Sequence, residues 1–479
     1  MQPFINRHTE LEFLETEYAR SDSSLVILYG RRRIGKTALA AKFGEHKNML
    51  YFLATEESET ENRNQFKNLV GDFTRNQLLK NADVDTWYII FDELLKFRTD
   101  RKLIVVLDEF QYLGKSNRAF PSVFQKIWDS KLKDANIMVI LCGSLISLME
   151  SQTLAYSSPL YGRRTGQIKL KQIPFRFYDE FFAHKSQKEL VELYSMTGGV
   201  PKYIEIFRDT TDIFEAIAHN VLTTQSLLYE EPWFLLQNEV SEIGSYFSLL
   251  KAVAMGHSKQ GKIASVMEIK QTSLPKYLKT LIDLDILRRD VPVTEDSPEK
   301  SKKGLYRITD HFLAFWFQFI YPNRSFIETG RADVVMEKIR QSLVERHTAY
   351  VYEEICRESV WNLIADSKLP KGINRVGRWW DKNTEIDIVA FDSEGKDIVF
   401  GECKYTNDPM DVDIYYKLRE KAMGVEWNRQ GRREKYIFFS INGYTDRMTE
   451  LAGQEGLLLQ IADIPDKVSN LQMRSVNKK

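Results

Sequence analysis

The sequence contains Gly30-Arg31-Arg32-Arg33-Ile34-Gly35-Lys36-Thr37, which fits the phosphate-binding pattern G-x-x-x-x-G-K-[ST]. An apolar run at 25–29 precedes this stretch and predicts a buried strand, and residues 38–42 continue it as a helix. The pattern requires this order of strand, turn and helix, because backbone N–H groups of the turn then form an anion site at the positive end of the helix dipole. The sequence therefore predicts that a nucleoside triphosphate binds here.

A pair of acids, Asp108 and Glu109, follows a second apolar run at 103–107. Open α/β sheets bind ligands at the carboxyl ends of their strands, where this pair and the phosphate-binding loop would meet. The lysine and hydroxyl of such a loop contact phosphate and Mg²⁺, so we assign these roles to Lys36 and Thr37. We expect Asp108 to hold the metal and Glu109 to polarise the attacking water, which makes ATP hydrolysis the predicted reaction. ATP and Mg²⁺ are the expected cofactors.

Length and composition indicate a soluble protein of several domains. A chain of 479 residues exceeds what one hydrophobic core supports and predicts two to four domains. With 43% hydrophobic and 28% charged residues, the composition is ordinary for a globular protein. The net charge is zero, so nucleic-acid binding would have to come from local basic patches. Cys142, Cys356 and Cys403 are far apart and form no zinc pattern, and disulfides are not expected in a cytosolic chain.

No membrane partner is expected from the sequence. Residues 1–10 are polar and charged, unlike a signal peptide. The longest apolar stretch, residues 312–321, is too short to span a bilayer and is typical of a helix packed inside a protein. We therefore expect a cytoplasmic protein.

The order of helical and apolar patterns predicts four domains. Residues 1–170 alternate helical patterns with short apolar runs, which is typical of the parallel sheet of a P-loop ATPase core. Residues 171–237 form a helical lid with a break at Gly198-Gly199-Val200-Pro201. Residues 238–325 contain three helical patterns and a β-hairpin, the order of a winged helix, and residues 335–470 form an α/β domain. The expected strands lie at 25–29, 49–53, 103–107 and 137–142, at 288–293 and 305–309, and at 386–391, 397–405 and 436–441.

A set of short motifs extends from the amino terminus to residue 201. It consists of Phe4-Ile5-Asn6-Arg7 with Glu10, residues 29–37, Leu107-Asp108-Glu109-Phe110-Gln111, Cys142-Gly143-Ser144, Pro159-Leu160-Tyr161-Gly162-Arg163-Arg164 and Gly198-Gly199-Val200-Pro201. With these motifs the chain resembles the prokaryotic AAA/STAND-type ATPases described as the archaeal ATPase family. The resemblance covers almost the whole chain. It implies an α/β fold with a P-loop NTPase parallel sheet, a helical lid, a winged helix and a restriction-endonuclease-like C-terminal domain of unknown function.

The resemblance also implies roles for residues near the nucleotide. Ser144, after the fourth strand, would sense the γ-phosphate, although a small residue also suits a strand-to-helix turn. Arg163 or Arg164 would stabilise charge on the transferred phosphoryl group, or would form a basic surface pair. Pro201 would pack near the adenine or belong to a helix–helix turn, and residues 4–7 would line the base pocket or cap the first helix.

The winged-helix segment carries a basic helix that is a candidate for DNA contact. One face of this helix is apolar at helical spacing and belongs to a core, whereas its first turn is polar and basic. The hairpin that follows adds lysines that would contact phosphates. The alternative is that this domain only bridges its neighbours or binds a protein. The polar residues are Lys270, Gln271, Thr272, Ser273, Lys276 and Lys279 of the helix and Lys300, Lys302 and Lys303 of the hairpin.

Two predicted strands of the last domain carry the acids of a metal site. Side chains alternate along a strand, so Glu402 and Lys404 share one face, and Asp387 would meet Glu402 across the ladder. The carboxylates would hold Mg²⁺, and Lys404 would orient water or bind phosphate. This is the D-(x)n-E-x-K pattern of PD-(D/E)XK nucleases, in which an acid from the preceding helix, here Glu353, often completes the site. Ile386 replaces the usual proline, and a salt bridge on an inactive nuclease fold is the alternative.

Three functions are consistent with these motifs. The leading hypothesis is an ATPase acting on DNA, in which the nucleotide state controls a metal-dependent endonuclease domain. The second is a STAND-type nucleotide-switched regulator whose C-terminal domain is a docking platform with an inactive nuclease fold. The third, a metabolic P-loop kinase, leaves the winged helix and the last domain unexplained. DNA is the expected partner, while a homo-oligomer and a protein bound through the winged helix remain open.

Overall fold

The computed structural model describes residues 4–97, 100–209 and 212–461. The chain forms two compact units. We call them the first unit, which comprises Met1–Gln172, Val200–Lys202 and Trp233–Ser241, and the second unit, which comprises Ile173–Gly199, Tyr203–Pro232 and Glu242–Lys479.

The division into two units is coarser than the four predicted domains, whose boundaries stay predictions. The first unit contains most of the predicted ATPase core, and the second contains most of the predicted lid, the winged helix and the C-terminal domain. The predicted end of the last domain, residues 462–470, lies outside the described residues.

The first unit is built around a parallel sheet of five strands in the order β2-β3-β4-β1-β5. Strands β1, β3 and β4 are buried at every position, as expected for a parallel sheet that helices cover on both faces. The predicted strands correspond to β1–β4, while β5, with a single buried residue, has no apolar run that would predict it. The strands are β1 (Ser24–Tyr29), β2 (Met49–Leu53), β3 (Leu103–Asp108), β4 (Ile137–Gly143) and β5 (Gly166–Lys169).

Helices of the first unit cover this sheet. Leu39 and Phe43 of the helix after the phosphate-binding loop share one buried cluster with Val26, Ile104 and Ile140 of the strands. The loop is thereby anchored on both sides by apolar packing. The helices are α1 (His8–Tyr18), α2 (Lys36–Gly44), α3 (Glu59–Thr74), α4 (Gln77–Asn81), α5 (Trp87–Lys96), α6 (Gln111–Ser116), α7 (Phe120–Ile127) and α8 (Ile146–Met149).

The second unit is helical up to the hairpin. Short 3-10 and π-helical turns, among them Trp316–Ile320 and Val344–Thr348, continue or join these helices. The predicted helical break at Gly198 separates α9 from α10, and both Gly198 and Gly199 have positive φ values. The helices from residue 187 to residue 365, of which α10 and α12 have residues in both units, are α9 (Gln187–Thr197), α10 (Pro201–Phe207), α11 (Ile213–Asn220), α12 (Glu231–Leu236), α13 (Ile243–Ala254), α14 (Gln260–Val266), α15 (Leu274–Asp283), α16 (His311–Phe315), α17 (Arg324–Glu328), α18 (Ala332–Leu343) and α19 (Ala349–Ala365).

The hairpin pairs β6 (Leu287–Asp290) with β7 (Leu305–Ile308) in antiparallel register. The first strand ends before the predicted residue 293, because Pro292 has no N–H to donate and Val293 N donates instead to the carbonyl of Arg378. Leu274, Leu278 and Leu281 of α15 are buried. The polar side chains predicted for DNA contact are all exposed: Lys270, Gln271, Thr272, Ser273, Lys276, Lys279, Lys300, Lys302 and Lys303.

A second sheet, in the order β12-β11-β10-β9-β8, ends the described chain. Strand β10 is antiparallel to β9 and parallel to β11, and buried residues of α20 pack on the sheet. Strands β9–β11 correspond to predicted strands, whereas β8, which is polar at its start, and the short β12 were not predicted. The elements are β8 (Arg375–Trp380), β9 (Glu385–Phe391), β10 (Asp397–Lys404), α20 (Val412–Met423), β11 (Arg433–Ser440), α21 (Asp446–Glu455) and β12 (Leu458–Gln460).

None of the helices in the described ranges is long and apolar enough to cross a membrane.

Replacing Leu141 by alanine tests the central position of β4. Leu141 is fully buried and lies opposite both Ile27 and Leu107. We expect Leu141→Ala to lower the free energy of unfolding of the first unit by about 2–5 kcal/mol, because the neighbouring strands cannot close the cavity. Leu53→Ala is the matched control, since Leu53 is 52% exposed at the end of β2. Urea unfolding measures the free energy of unfolding of both variants. Equal decreases in the two variants would contradict this packing.

Candidate functional site

The phosphate-binding loop leaves β1 and enters α2 in a conformation that needs glycine at both ends. A Cβ atom on Gly30 would lie 2.6 Å from the carbonyl oxygen of Leu170. Gly35 has a φ of 96°, in the left-handed region, and is the residue before the first turn of α2. Between them, Arg31 and Ile34 are buried, and Arg32 donates to the hydroxyl of Tyr112 at 2.9 Å. Arg33 also has a positive φ, of 68°.

Lys36 is buried and lies against the loop itself. Its Nζ donates to the carbonyl oxygens of Gly30 and Arg31, each at 2.8 Å. Burial lowers the pKa of Lys36, and the negative charges of Glu109 and Asp108 oppose that shift. The ammonium group is therefore held in the concave side of the loop, where it can exchange backbone carbonyls for phosphate oxygens.

Thr37 and Asp108 meet although they are far apart in the sequence. The Thr37 hydroxyl donates to Asp108 Oδ2 at 3.1 Å, and Tyr51 of β2 donates to the same oxygen. Burial, with this hydrogen bond, raises the pKa of Tyr51 far above its ordinary value, so the phenol is a permanent donor. The hydroxyl and the carboxylate are hard oxygen ligands of the kind that Mg²⁺ prefers, so the pair fits the predicted metal site.

Glu109 is held by a network on the next strand. Its Oε2 accepts from the Ser144 hydroxyl at 2.7 Å, from the Ser144 N–H at 3.3 Å and from the amide of Gln111. The backbone of Glu109 has a φ of 52°, a strained conformation for a residue with a Cβ atom. Strain at this position directs the carboxylate towards the polar end of β4.

Two distant segments complete the surroundings of the loop. Arg7 is buried, and its guanidinium donates to the carbonyl oxygens of Ile34 at 3.2 Å and Lys171 at 2.7 Å. Pro201 lies beside Gly35, with its Cγ 3.7 Å from the position of a Cβ atom there. Residues 4–7 and Pro201 therefore both adjoin the loop, as either of their predicted roles near the base would require.

Arg164 is not brought to this site. It precedes β5, and Thr165 N donates to the Leu25 carbonyl near the start of β1, whereas the loop follows the end of β1. Five strand residues at roughly 3.3 Å each separate Arg164 from the level of Lys169, or roughly 17 Å. Its guanidinium lies over the ring of Tyr161, and Arg163 pairs with Asp129 at 3.1 Å. Within one chain, neither arginine contacts the loop.

A second cluster of charged side chains lies in the second unit, where β9 and β10 diverge. The antiparallel ladder ends at Gly401 opposite Ile388, so the next pair in register is Asp387 and Glu402. Like charges directly opposite each other oppose pairing, and the Asp387 carboxylate instead accepts the Cys403 N–H at 2.9 Å. Asp387 and Glu402 are 8% and 6% exposed. Burial and the Glu402 charge raise the pKa of Asp387 to about 6.

Two ammonium groups face Glu402. Lys404 Nζ lies 2.9 Å from Oε1, and Lys421 Nζ of α20 lies 3.1 Å from each carboxylate oxygen. Lys404 and Glu402 thus share one face of β10, as the alternation of the strand predicts. The charge of the carboxylate raises the pKa of Lys404 against the opposing effect of burial.

Glu353 does not join Asp387 and Glu402 in a common ligand set. In the ranges that the structure describes, no group of three or more His, Cys, Asp or Glu side chains is placed to share a metal ion. Glu353 instead faces two guanidinium groups, Arg357 at 3.7 Å and Arg378 at 3.9 Å. Burial, followed by the charge of Asp387, raises the pKa of Glu353 to about 8. The three-acid metal site predicted from the sequence is therefore reduced to a carboxylate pair.

Comparisons with known proteins identify the family of the chain. A family model described as an ATPase domain predominantly from Archaea matches residues 4–207, and one described as "Archaea bacterial proteins of unknown function" matches residues 316–421. The uncharacterised protein MJECL04 of Methanocaldococcus jannaschii is 35% identical over 422 residues, which are 88% of this chain and 92% of that protein. The chain belongs to this archaeal ATPase family. The resemblance inferred from the motifs is confirmed.

Two further matches are to an ATP-binding protein and to a solved ATPase structure. An uncharacterised ATP-binding protein of the same organism, MJ0423, is 54% identical over 46 residues, which are 10% of the ATPase chain and 78% of that protein. The Walker-type ATPase PABY2304 of Pyrococcus abyssi superposes with a TM-score of 0.51 at 20% identity, covering 66% of this chain and 96% of that one. The predicted α/β fold with a P-loop sheet is confirmed.

Two residues that contact the site were missed in the sequence analysis of the ATPase. Gln111 is fully buried beside Glu109. The sequence offered a signal for this contact, because a polar residue stands two positions after the acid pair, within the motif at 107–111. Lys421 had no such signal, because a lysine on a helix resembles any solvated lysine. Its contact with Glu402 arises only from the packing of α20 on β10.

The raised pKa of Glu353 predicts how the stability of the ATPase depends on pH in the presence of a chelator. A carboxyl group that binds its proton more tightly when folded stabilises the fold fully below its unfolded pKa, and this stability is lost as pH rises through the folded pKa. For Glu353 the window runs from 4.5 to about 8. The free energy of unfolding of the second unit should fall by roughly 1 kcal/mol per pH unit there.

The variant Glu353→Gln should remove most of this slope, as measured by urea unfolding at several pH values. Glu426→Gln is the control and should keep the slope, because the Glu426 side chain is 89% exposed. A wild-type protein whose stability is flat from pH 5 to pH 8 would contradict the assignment.

Proposed function

We propose that the ATPase acts on DNA and that its nucleotide state controls a Mg²⁺-dependent endonuclease site in the second unit. The observation that carries the proposal is the buried pair Asp387 and Glu402 with Lys404 beside it, in the same chain as a complete phosphate-binding loop. A carboxylate pair with a lysine supplies the groups that hydrolysis of a phosphodiester requires.

In the nucleotide site, the proposed roles follow from the contacts of each group. Lys36 would neutralise the β- and γ-phosphates, and Thr37 with Asp108 would hold Mg²⁺, which shields phosphate charge when bound. Glu109 would accept a proton from, or orient, the attacking water. Ser144 donates to Glu109, so it would report the presence of a γ-phosphate through that hydrogen bond.

In the second site, Asp387 and Glu402 would hold Mg²⁺, which requires only one or two protein carboxylates and takes its other ligands from water and phosphate. The raised pKa of Asp387 fits such a site, because a bound cation would relieve the repulsion between the two acids. Lys404 would orient the attacking water or contact the scissile phosphate. Glu353 would accept hydrogen bonds from water near the site rather than bind the metal as a third ligand. Its Oε2 accepts no hydrogen bond from the protein.

A direct route links the two sites along the chain. Helix α9 ends at Thr197, and four residues later Pro201 lies against Gly35 of the phosphate-binding loop. From the same helix, Glu192 accepts a hydrogen bond at 3.2 Å from Tyr405, the residue after Lys404. A movement of the loop on hydrolysis would therefore be passed along the chain to α9. The exposed lysines of α15 and the hairpin would supply the DNA contacts.

The nucleotide site is tested by Lys36→Ala and Glu109→Gln. We expect Lys36→Ala to abolish ATP binding, because the loop loses the ammonium group that is proposed to neutralise the phosphates. Glu109→Gln should still bind ATP but lower its turnover by about 100-fold or more, since the group that activates water is lost. Lys42→Ala is the control for the lysine, because Lys42 is exposed on the same helix and pairs only with Glu45. ATP turnover and binding of a fluorescent ATP analogue are measured, with and without Mg²⁺.

The endonuclease site is tested by Glu402→Gln and Lys404→Ala. Wild-type protein should cleave DNA in the presence of Mg²⁺ or Mn²⁺, in a manner that depends on ATP, and either variant should lower cleavage by about 100-fold or more. Glu434→Gln is the control, because Glu434 lies at the start of the neighbouring strand and pairs with Arg432. Wild-type protein that leaves single-stranded, nicked and duplex DNA intact with either metal, with and without ATP, would refute the endonuclease.

A second candidate is the nucleotide-switched regulator with an inactive nuclease fold. The observation in its favour is that Lys404 and Lys421 both pair with Glu402, which leaves that carboxylate already neutralised. A cellular phenotype that is lost in Lys36→Ala but kept in Glu402→Ala would favour this candidate. Loss of the phenotype in both variants would favour the endonuclease.

A further inference from the structure

A cavity of about 630 Å³ lies in the second unit between the hairpin, α19 and β8. Five arginine side chains and two tryptophan side chains contribute to its wall, together with three acids. This composition offers a ligand two kinds of contact. Arginine supplies a forked cation, and tryptophan supplies a flat apolar face. The contacts of these arginines indicate which charges are already balanced and which are available to a ligand.

Arg288 is balanced by the acids of the cavity. It pairs with Asp290 at 2.9 Å and with Glu354, and Glu354 also contacts His311 at 3.1 Å. Arg289 is likewise committed, because it donates to backbone carbonyls of the hairpin loop. On the side of the cavity formed by the hairpin, the charge of Arg288 is therefore balanced by acids, and donors of Arg289 are occupied by backbone carbonyls.

Arg378 differs, because most of its donors are unused. Its side chain is 6% exposed, and its Nε and Nη1 have no hydrogen-bond partner, because the Glu353 carboxylate lies 3.9 Å from Nε, beyond hydrogen-bond distance. Its Nη2 donates to Glu385 at 3.0 Å, but that carboxylate is 65% exposed and competes with water. A buried guanidinium with unmet donors is costly unless a ligand with acceptor oxygens completes it. Phosphate oxygens match the forked geometry of arginine.

Two further features indicate a nucleic-acid strand rather than an isolated anion. Arg357, which also contributes to the cavity wall, donates to the backbone carbonyl of Asp387 at 3.3 Å, so the cavity adjoins the carboxylate pair. Trp361 of α19 is 46% exposed at the same cavity. An exposed indole is a platform on which an unpaired base stacks, while a phosphate alone makes no use of it.

We propose that this cavity binds the phosphodiester backbone of a nucleic-acid strand at Arg378 and Arg357, with an unpaired base stacked on Trp361. The inference rests on the proposed action on DNA and adds the form of the substrate, a strand with at least one unpaired nucleotide next to the cleavage site. The strand enters beside Asp387, so the cavity positions the phosphate that is cleaved.

Binding of a short fluorescein-labelled oligothymidylate to the full-length protein tests this proposal, with a chelator present so that no cleavage occurs. We expect Arg378→Gln to weaken binding about 10-fold and to lower the salt dependence by about one phosphate contact. Trp361→Ala removes an exposed side chain and leaves the core intact, so it keeps the test valid if Arg378→Gln does not fold. It should weaken binding about 10-fold with unchanged salt dependence.

Matched controls separate the cavity from the rest of the surface. Arg447→Gln and Tyr416→Ala replace an arginine that is 72% exposed and a tyrosine that is 56% exposed outside the cavity, and neither should alter binding. A blunt duplex should bind independently of Trp361, since its bases are paired. If Trp361→Ala weakened binding of the duplex as much as binding of oligothymidylate, stacking of an unpaired base would be overturned. Displacement of the oligonucleotide by low millimolar inorganic phosphate would overturn the strand as the ligand.

The outcomes distinguish this inference from the proposed function. If the wild-type protein binds oligothymidylate and both cavity variants bind it equally well, the cavity is not the site, while action on DNA stands. If the wild-type protein binds no DNA of any form, both proposals fail. If Arg378→Gln and Trp361→Ala selectively lose binding of oligothymidylate and cleave less in parallel, the result supports the cavity as the binding site.

Discussion

The parallel register of β1, β3 and β4 is the constraint on which the nucleotide site depends. Leu141 lies opposite both Leu107 and Ile27, so the three strands end at one level. Residues that are far apart in the chain follow these ends and therefore meet, as the hydrogen bond from Thr37 to Asp108 demonstrates. Because both faces of these strands are packed, a slip of one residue would exchange side chains between two differently shaped cores, so the packing that stabilises the sheet also fixes the site.

The second unit assembles its charged cluster by a different means. There the ladder between β9 and β10 stops where two acids would stand opposite each other, and the released Cys403 N–H is taken by Asp387. Burying such acids is tolerated because cations lie beside them, among them Lys404 and Lys421. The same cations that stabilise the folded state are the groups that would meet a phosphodiester, so stability and the proposed chemistry depend on one arrangement of charge.

Much of this architecture could be read from the sequence, because its signals are local. Apolar runs predicted β1–β4 and β9–β11, and the loop at 30–37 predicted its own turn and helix. Strand β5 was missed since an edge strand buries little and leaves no apolar run. Arg164 illustrates what a motif leaves open, because the sequence pointed to the residue but left its position undecided between a phosphate contact and a surface pair. Arg164 lies at the amino end of β5, away from the loop, because β5 pairs in parallel with β1 and therefore runs in the same direction.

The sequence by itself determined the fold family and predicted the residue types of the nucleotide site, because a phosphate-binding loop and an acid pair after a strand are patterns of a few neighbouring residues. The E-x-K pattern of the proposed second site is a weak signal alone and was supported by its two strands and the resemblance. Only the tertiary structure decided which side chains act together. It added Gln111 to Glu109 and Lys421 to Glu402, separated Glu353 from the carboxylate pair, and left donors of the buried Arg378 without partners. Such pairings depend on the packing of distant segments, which local sequence patterns do not encode.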